Sequence, residues 1–159
     1  CEAIDKNVPI FGSCMGIQVI AKALGGEVVF DNERREVGTY SITLNEDGQQ
    51  DPLFSKLPKI FLAQMGHKCR VSVLPKDAVS LASSNLCPVH AFKLKGKMVY
   101  ATQFHPELNY QDNVKRLKYY FQNYHHASQE ESSEEILMKF KEDDTNSTLL
   151  SDFIMLVAG

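Results

Sequence analysis

Tryptophan is absent, and cysteine is scarce: four occur among 159 residues, at positions 1, 14, 69 and 87. No two stand in the C-x-x-C spacing of a zinc ribbon or a dithiol redox centre, so no metal and no cofactor are expected and free thiols in a reducing cytoplasm fit best. Long apolar runs are missing too. Residues 8–11 and 154–158 are the longest, far short of the roughly 20 needed to cross a bilayer, so no membrane span is expected. Basic clusters are lacking as well: the net charge is -3 and the lysines are scattered, which argues against a nucleic-acid partner. There is no internal repeat and no basic-then-apolar leader, and a chain opening on Cys1 rather than Met is expected to be a fragment.

What is present is the composition of an ordinary globular domain, 43% hydrophobic and 23% charged. The charge is unevenly spread. Residues 1–127 hold 15 Lys and Arg against 12 Asp and Glu, and residues 128–159 hold 2 against 8. That shift sets the expected division: a folded domain over residues 1–126, then an acidic linker with short C-terminal helices over residues 127–159.

Along the chain, the apolar run at 8–11 ends in Gly12-Ser13-Cys14-Met15-Gly16 and continues as Ile17, Val19, Ile20, Ala21, Ala23 and Leu24 at helical spacing, which reads as strand, tight turn and helix. Gly25-Gly26 stops the helix and residues 27–30 resume an extended pattern, giving a βαβ-like unit. Short strands are expected at 41–44, 60–63, 71–74, 79–82, 89–94 and 98–102, separated by turn signals such as Glu46-Asp47-Gly48 and Lys95-Gly96-Lys97. A helix is expected over 111–126, a solvated acidic stretch over 128–147, and a last short helix over 149–157.

The chemistry concentrates in two places. The first is G-x-C-x-G between strand and helix. A nucleophile on a sharp strand-to-helix turn leaves no room for side chains two residues before and after it, and glycine at both places removes the collision. The same turn sets the Cys14 sulfur beside the free N–H groups at the start of the helix, which favour a thiolate, and aims the Met15 N–H at an oxyanion. The plain alternative is that Cys14 is a small buried apolar residue in a glycine-rich turn. The second place is Gln103-Phe104-His105-Pro106-Glu107. Pro106 holds His105 extended, so Glu107, two residues on, reaches back to the imidazole. A thiol nucleophile needs an imidazole to move its proton, and the imidazole needs an acceptor to fix its tautomer. A lone His-Pro-Glu is weak; paired with the cysteine turn it becomes specific.

With these residues together, the chain resembles the class I glutamine amidotransferases. The resemblance rests on residues 9–18, Ala23-Leu24-Gly25-Gly26, Glu36-Val37-Gly38, Gln64-Met65-Gly66-His67-Lys68 and residues 103–108, and runs from about position 8 to about position 124. It is strongest toward stand-alone members related to the glutaminase domain of GMP synthase. It implies an α/β architecture, a three-layer flavodoxin-like fold with a mostly parallel central sheet, here with its first strands missing. It implies a Cys14 thioester, general acid–base work by His105 supported by Glu107, an oxyanion contact from Met15 and substrate contacts from Gln18, Lys68 and Cys69. Glutamine is the implied substrate, and a separate synthetase subunit the implied acceptor of ammonia.

Each secondary assignment has a bland counterpart. Gln18 could be a surface residue of the helix, and His67 reads better as a turn or core histidine than as a second base. Cys1 is set aside as an N-terminal nucleophile, because residues 2–7 are polar and carry no glycine to shape a turn. The missing front is expected to remove a second oxyanion donor, a loss on the order of 10²- to 10³-fold in rate, and to leave apolar surface uncovered. Two further functions stay open beside glutamine hydrolysis: a γ-glutamyl peptide hydrolase on the same fold, and a catalytically idle binding module.

Overall fold

The computed structural model describes residues 2–123 and 133–159. Cys1, the last residues of the helix expected at 111–126 and the first part of the acidic stretch lie outside them. In order, the elements are α1 (Glu2–Asp5), β1 (Ile10–Ser13), α2 (Met15–Ala23), β2 (Glu27–Phe30), β3 (Glu36–Leu44), α3 (Glu46–Gln50), a 3-10 turn (Phe54–Lys56), β4 (Ile60–His67), β5 (Cys69–Val73), β6 (Ala78–Ser83), β7 (Ala91–Leu94), β8 (Val99–Thr102), α4 (Tyr110–Asn123), α5 (Ser133–Leu137) and α6 (Leu149–Ala158).

A six-stranded sheet in the order β1-β8-β7-β6-β3-β4 forms the middle layer, and β2 and β5 pair separately. All four residues of β8 are buried, which fits a strand covered on both faces. Val99 and Ala101 join one core with Ile17 and Ala21 of α2 and Phe92 of β7. Tyr100 belongs to the opposite core with Phe54, Phe104, Leu149 and Phe153. The period-2 alternation of one strand thus feeds two apolar layers. On that second side the ring of Phe153, on α6, meets Tyr100 and Phe11 edge-on, with centroids 6.0 and 5.4 Å away.

The expected α/β class is what the chain folds into, but two details of pairing are corrected. Among the described residues only β1 and β8 pair in parallel, Ile10 with Val99 through Ser13 with Thr102; the other pairings are antiparallel. The links from β6 to β7 and from β7 to β8 are short, and short links can join only antiparallel neighbours. Nor does β2 complete a βαβ unit in the sheet of β1: it crosses to β5, antiparallel, in the small second sheet. The Glu46-Asp47-Gly48 turn is a helix, because the Asn45 side chain accepts from the Gly48 N–H at 2.8 Å and caps it. The acidic stretch also differs from a solvated linker where it is described: Phe140 is buried, the Thr39 N–H donates to the Lys139 carbonyl at 3.0 Å and the Asn146 amide to the Leu62 carbonyl at 2.9 Å.

The turn between β1 and α2 places Cys14 at φ 49° and ψ −99°, a conformation L-residues adopt at a cost of about 1–3 kcal/mol. The Cys14 N–H, bonded to the Thr102 carbonyl at 2.8 Å, holds it there. The two flanking glycines differ in what they spare. A Cβ on Gly12 would stand 2.7 Å from Ile20 Cδ1 and 3.0 Å from the Gly16 carbonyl carbon, whereas a Cβ on Gly16 meets nothing within 4 Å. Gly12→Ala is therefore expected to destabilise the fold by about 1–3 kcal/mol through overpacking. Gly16→Ala, inside a helix, is expected to stabilise by about 0.5–1 kcal/mol. Urea unfolding of both variants checks the pair, and equal losses would contradict this reading of the turn.

Candidate active site

Parallel pairing sets the C-terminal ends of β1 and β8 side by side, and both candidate segments leave from those ends. Cys14 follows Ser13 of β1, and Gln103, Phe104 and His105 follow Thr102 of β8. The exit from β8 is fixed by backbone contacts: the Gln103 N–H donates to the His90 carbonyl at 2.8 Å, the His105 N–H to the Gln64 carbonyl at 3.0 Å, and the Thr102 hydroxyl to the Phe104 carbonyl at 2.9 Å. Phe104 is wholly buried and edges against Phe61 at 5.6 Å, so the residues either side of it are aimed by its packing.

His105 is 5% exposed. Its Nδ1 lies 2.6 Å from Glu107 Oε1, the reach expected from the two-residue spacing. The Cys14 thiol is hydrogen-bonded to the same imidazole. Burial works against the imidazolium, but the contacts to Cys14 and then to Glu107 outweigh it and raise the His105 pKa above its ordinary value. Burial alone would raise Glu107; the His105 hydrogen bond, followed by a backbone contact and the imidazole's charge, holds it below the ordinary carboxylate range. The linkage has a definite sign. The His105 contacts add stability below the ordinary imidazole value, and this is lost as pH rises through the raised folded value. The Glu107 contribution is present above the ordinary carboxylate value and is lost as pH falls through the lowered one.

Two residues that drew no role from the sequence complete the site. The Gln103 amide nitrogen stands 3.8 Å from Cys14 Sγ. Arg116, on α4, places Nη1 3.1 Å from His105 Nε2, and Gly66 of β4 leaves the space its guanidinium fills. Gln103 sits beside His105 in the second motif and had a signal in its position; Arg116 had none, since its helix was legible only through its apolar spacing. Arg116 also borders a cleft of about 370 Å³ that reaches past Gly66, His67 and Lys68.

Of the other expected contacts, Gln18 does face the site. Its amide nitrogen lies 3.0 Å from the Cys69 carbonyl and 3.3 Å from Gln103 Oε1. Cys69 therefore enters through its backbone, and half-buried Lys68 lines the cleft. Met15 opens α2 with its side chain 70% exposed. His67 is a buried core residue, as its bland reading had it. The arrangement supplies a thiol on a strained turn, an imidazole in contact with it, and a carboxylate fixing the far ring nitrogen: the parts of an acyl-transfer site.

The sequence profile of the family described as Glutamine amidotransferase class-I matches residues 1–127, and the chain belongs to that family. Curated archaeal relatives, each named as the glutamine-hydrolyzing first subunit of a GMP synthase, are similar to it. The one from Methanococcus aeolicus is 40% identical over 111 residues, 70% of this chain and 57% of its own length; the one from Methanocaldococcus jannaschii is 40% identical over 106 residues, 67% and 54%. The chain thus spans little more than half the length of these relatives. A glutamine amidotransferase structure from Thermotoga maritima superposes with a TM-score of 0.78 at 22% identity, covering 98% of this chain and 64% of that one, and shows the shared flavodoxin-like fold. A structure from Thermoplasma acidophilum, described as the same GMP synthase component, gives a TM-score of 0.61 at 34% identity, covering 72% and 58%.

The contacts of His105 oppose one another, which makes them separable. Glu107→Gln is expected to lower the imidazole pKa, and Arg116→Gln, which removes a neighbouring positive charge, to raise it. Titration of the His105 ring by NMR reads both; shifts of the same sign would contradict this account of the site.

Proposed function

We propose that this domain hydrolyses the side-chain amide of glutamine through a thioester on Cys14 and hands the ammonia to an acceptor site on a separate synthetase subunit. The observation that carries the reading is the contact of Cys14, strained at φ 49° on its turn, with an imidazole whose other nitrogen is held 2.6 Å from Glu107. Glutamine and the separate subunit come from the names of the archaeal relatives, which are glutamine-hydrolyzing components of GMP synthase.

In this mechanism sulfur attacks the amide carbon, and the oxyanion is received by the Met15 N–H at the start of α2. The proton leaving Cys14 passes through His105 to the amide nitrogen as the C–N bond breaks, releasing ammonia. His105 then takes a proton from water, whose oxygen displaces sulfur to give glutamate, and the proton returns to the thiol. Glu107 keeps Nε2 directed at the reaction by holding Nδ1. Gln18, Lys68 and the Cys69 backbone form the edge that receives the amino-acid end of the substrate. No metal and no cofactor are invoked. No helix among the described residues is long and apolar enough to cross a membrane. The described cysteines, 14, 69 and 87, are free, and a thiol nucleophile works where it stays reduced, so the proposed location is the cytoplasm.

Ammonia release from glutamine by the intact protein tests the reading, with γ-glutamyl peptides as competing substrates. The expectation is turnover of glutamine, a loss on the order of 10⁴-fold or more in Cys14→Ala, and stimulation by the acceptor subunit. Preferential cleavage of γ-glutamyl peptides would replace it with the peptidase on the same fold. Unchanged behaviour of Cys14→Ala would leave an idle binding module.

A further inference from the structure

A buried polar cluster lies one layer beneath the site and takes no part in the mechanism above. Glu36, the first residue of β3, is directly opposite His67, the last of β4, and both are buried. Glu36 Oε2 stands 2.9 Å from His67 Nε2 and 2.7 Å from His90 Nε2, while its Oε1 accepts from the Ser84 hydroxyl at 2.7 Å. Burial alone would raise this carboxyl, but the hydrogen bonds from His67 and His90 bring it down to about 2. Glu36 is thus an ionised group held from three sides.

His67 carries the cluster toward the surface. Its second ring nitrogen, Nδ1, lies 3.1 Å from the Cys69 carbonyl, and the amide nitrogen of Gln18 lies 3.0 Å from that same oxygen. The Gln18 nitrogen also reaches Gln103 Oε1 at 3.3 Å, and the Gln103 nitrogen reaches Cys14 Sγ at 3.8 Å. With both hydrogens of the Gln18 amide committed to acceptors, its own carbonyl oxygen has one direction open. Lys68 alone separates His67 from Cys69, at the point where the chain leaves the six-stranded sheet for the two-stranded one.

We propose that Glu36 and His67 are a positioning pair that fixes the Cys69 carbonyl and, through it, the Gln18 amide that receives the amino-acid end of the substrate. The proposal rests on the reading of the site as glutamine-directed. Ligand-type atoms of Glu36, His67 and His90 all lie within 4.8 Å of one another, a spacing that also admits an ion. Ligands to a zinc ion would each stand about 2.0–2.2 Å from a common centre. Here both imidazole nitrogens sit directly on one carboxylate oxygen, which closes the group with hydrogen bonds.

The test compares two rates of Cys14 labelling in the intact protein: by 6-diazo-5-oxo-norleucine, shaped like glutamine, and by iodoacetamide, which needs only the thiol. In His67→Gln, whose amide cannot serve both acceptors, the first rate is expected to fall about tenfold and the second to stay within about twofold, as for one lost orienting hydrogen bond. His67→Asn places a nitrogen near the Nδ1 position and is expected to restore the first rate to within about threefold of the original. If His67→Gln does not fold, Glu36→Gln carries the same expectation. Equal loss of both rates, no loss of either, or a stoichiometric metal in the purified protein would overturn the positioning role. An original protein with no preference for the glutamine-shaped reagent would instead overturn the glutamine-directed reading, and this inference with it.

Discussion

The one parallel strand pairing in the described chain, β1 against β8, is the constraint on which the rest depends. Those strands lie far apart in sequence, yet pairing brings their C-terminal ends to one edge. The Cys14 N–H then closes onto Thr102 across the last rung, at 2.8 Å. A thiol and an imidazole from opposite ends of the domain come into contact because the backbone ladder leaves them no other place. Open α/β sheets bind their ligands outside the carboxyl ends of the strands, and the site obeys that rule.

The ladder also sustains strain. Cys14 holds a left-handed φ that costs free energy, and that conformation persists because a strand, a helix start and a close-packed Gly12 surround it. Electrostatics are balanced in the same spirit. His105 is buried against its charged form, drawn toward it by Cys14 and Glu107, and opposed by Arg116. An imidazole that must both take and give a proton is best poised between such opposing influences.

Local features were legible in the sequence, and long-range ones were not. The G-x-C-x-G turn and the two-residue step from His105 to Glu107 each span only a few residues, so backbone geometry alone announces them. The strands after β3 announced themselves by composition, though their bounds and partners did not. β2 joins β5 rather than β1, which is a tertiary choice that no periodicity encodes. α3 was hidden by Gly48, and only the Asn45 cap explains why a helix forms there. Arg116 approaches His105 from 11 residues away on a helix, and Glu36 gathers His67 and His90 from 31 and 54 residues away, so neither grouping has a sequence signature.

The central claim is that Cys14, presented by that pairing, is the atom to which the glutamyl group becomes attached. Acid quenching of the intact protein during turnover of glutamine, followed by peptide mapping in the mass spectrometer, tests it most directly. The account predicts a γ-glutamyl adduct confined to the peptide that contains Cys14. Turnover without any adduct there, or an adduct on Cys69 or Cys87 instead, would contradict it.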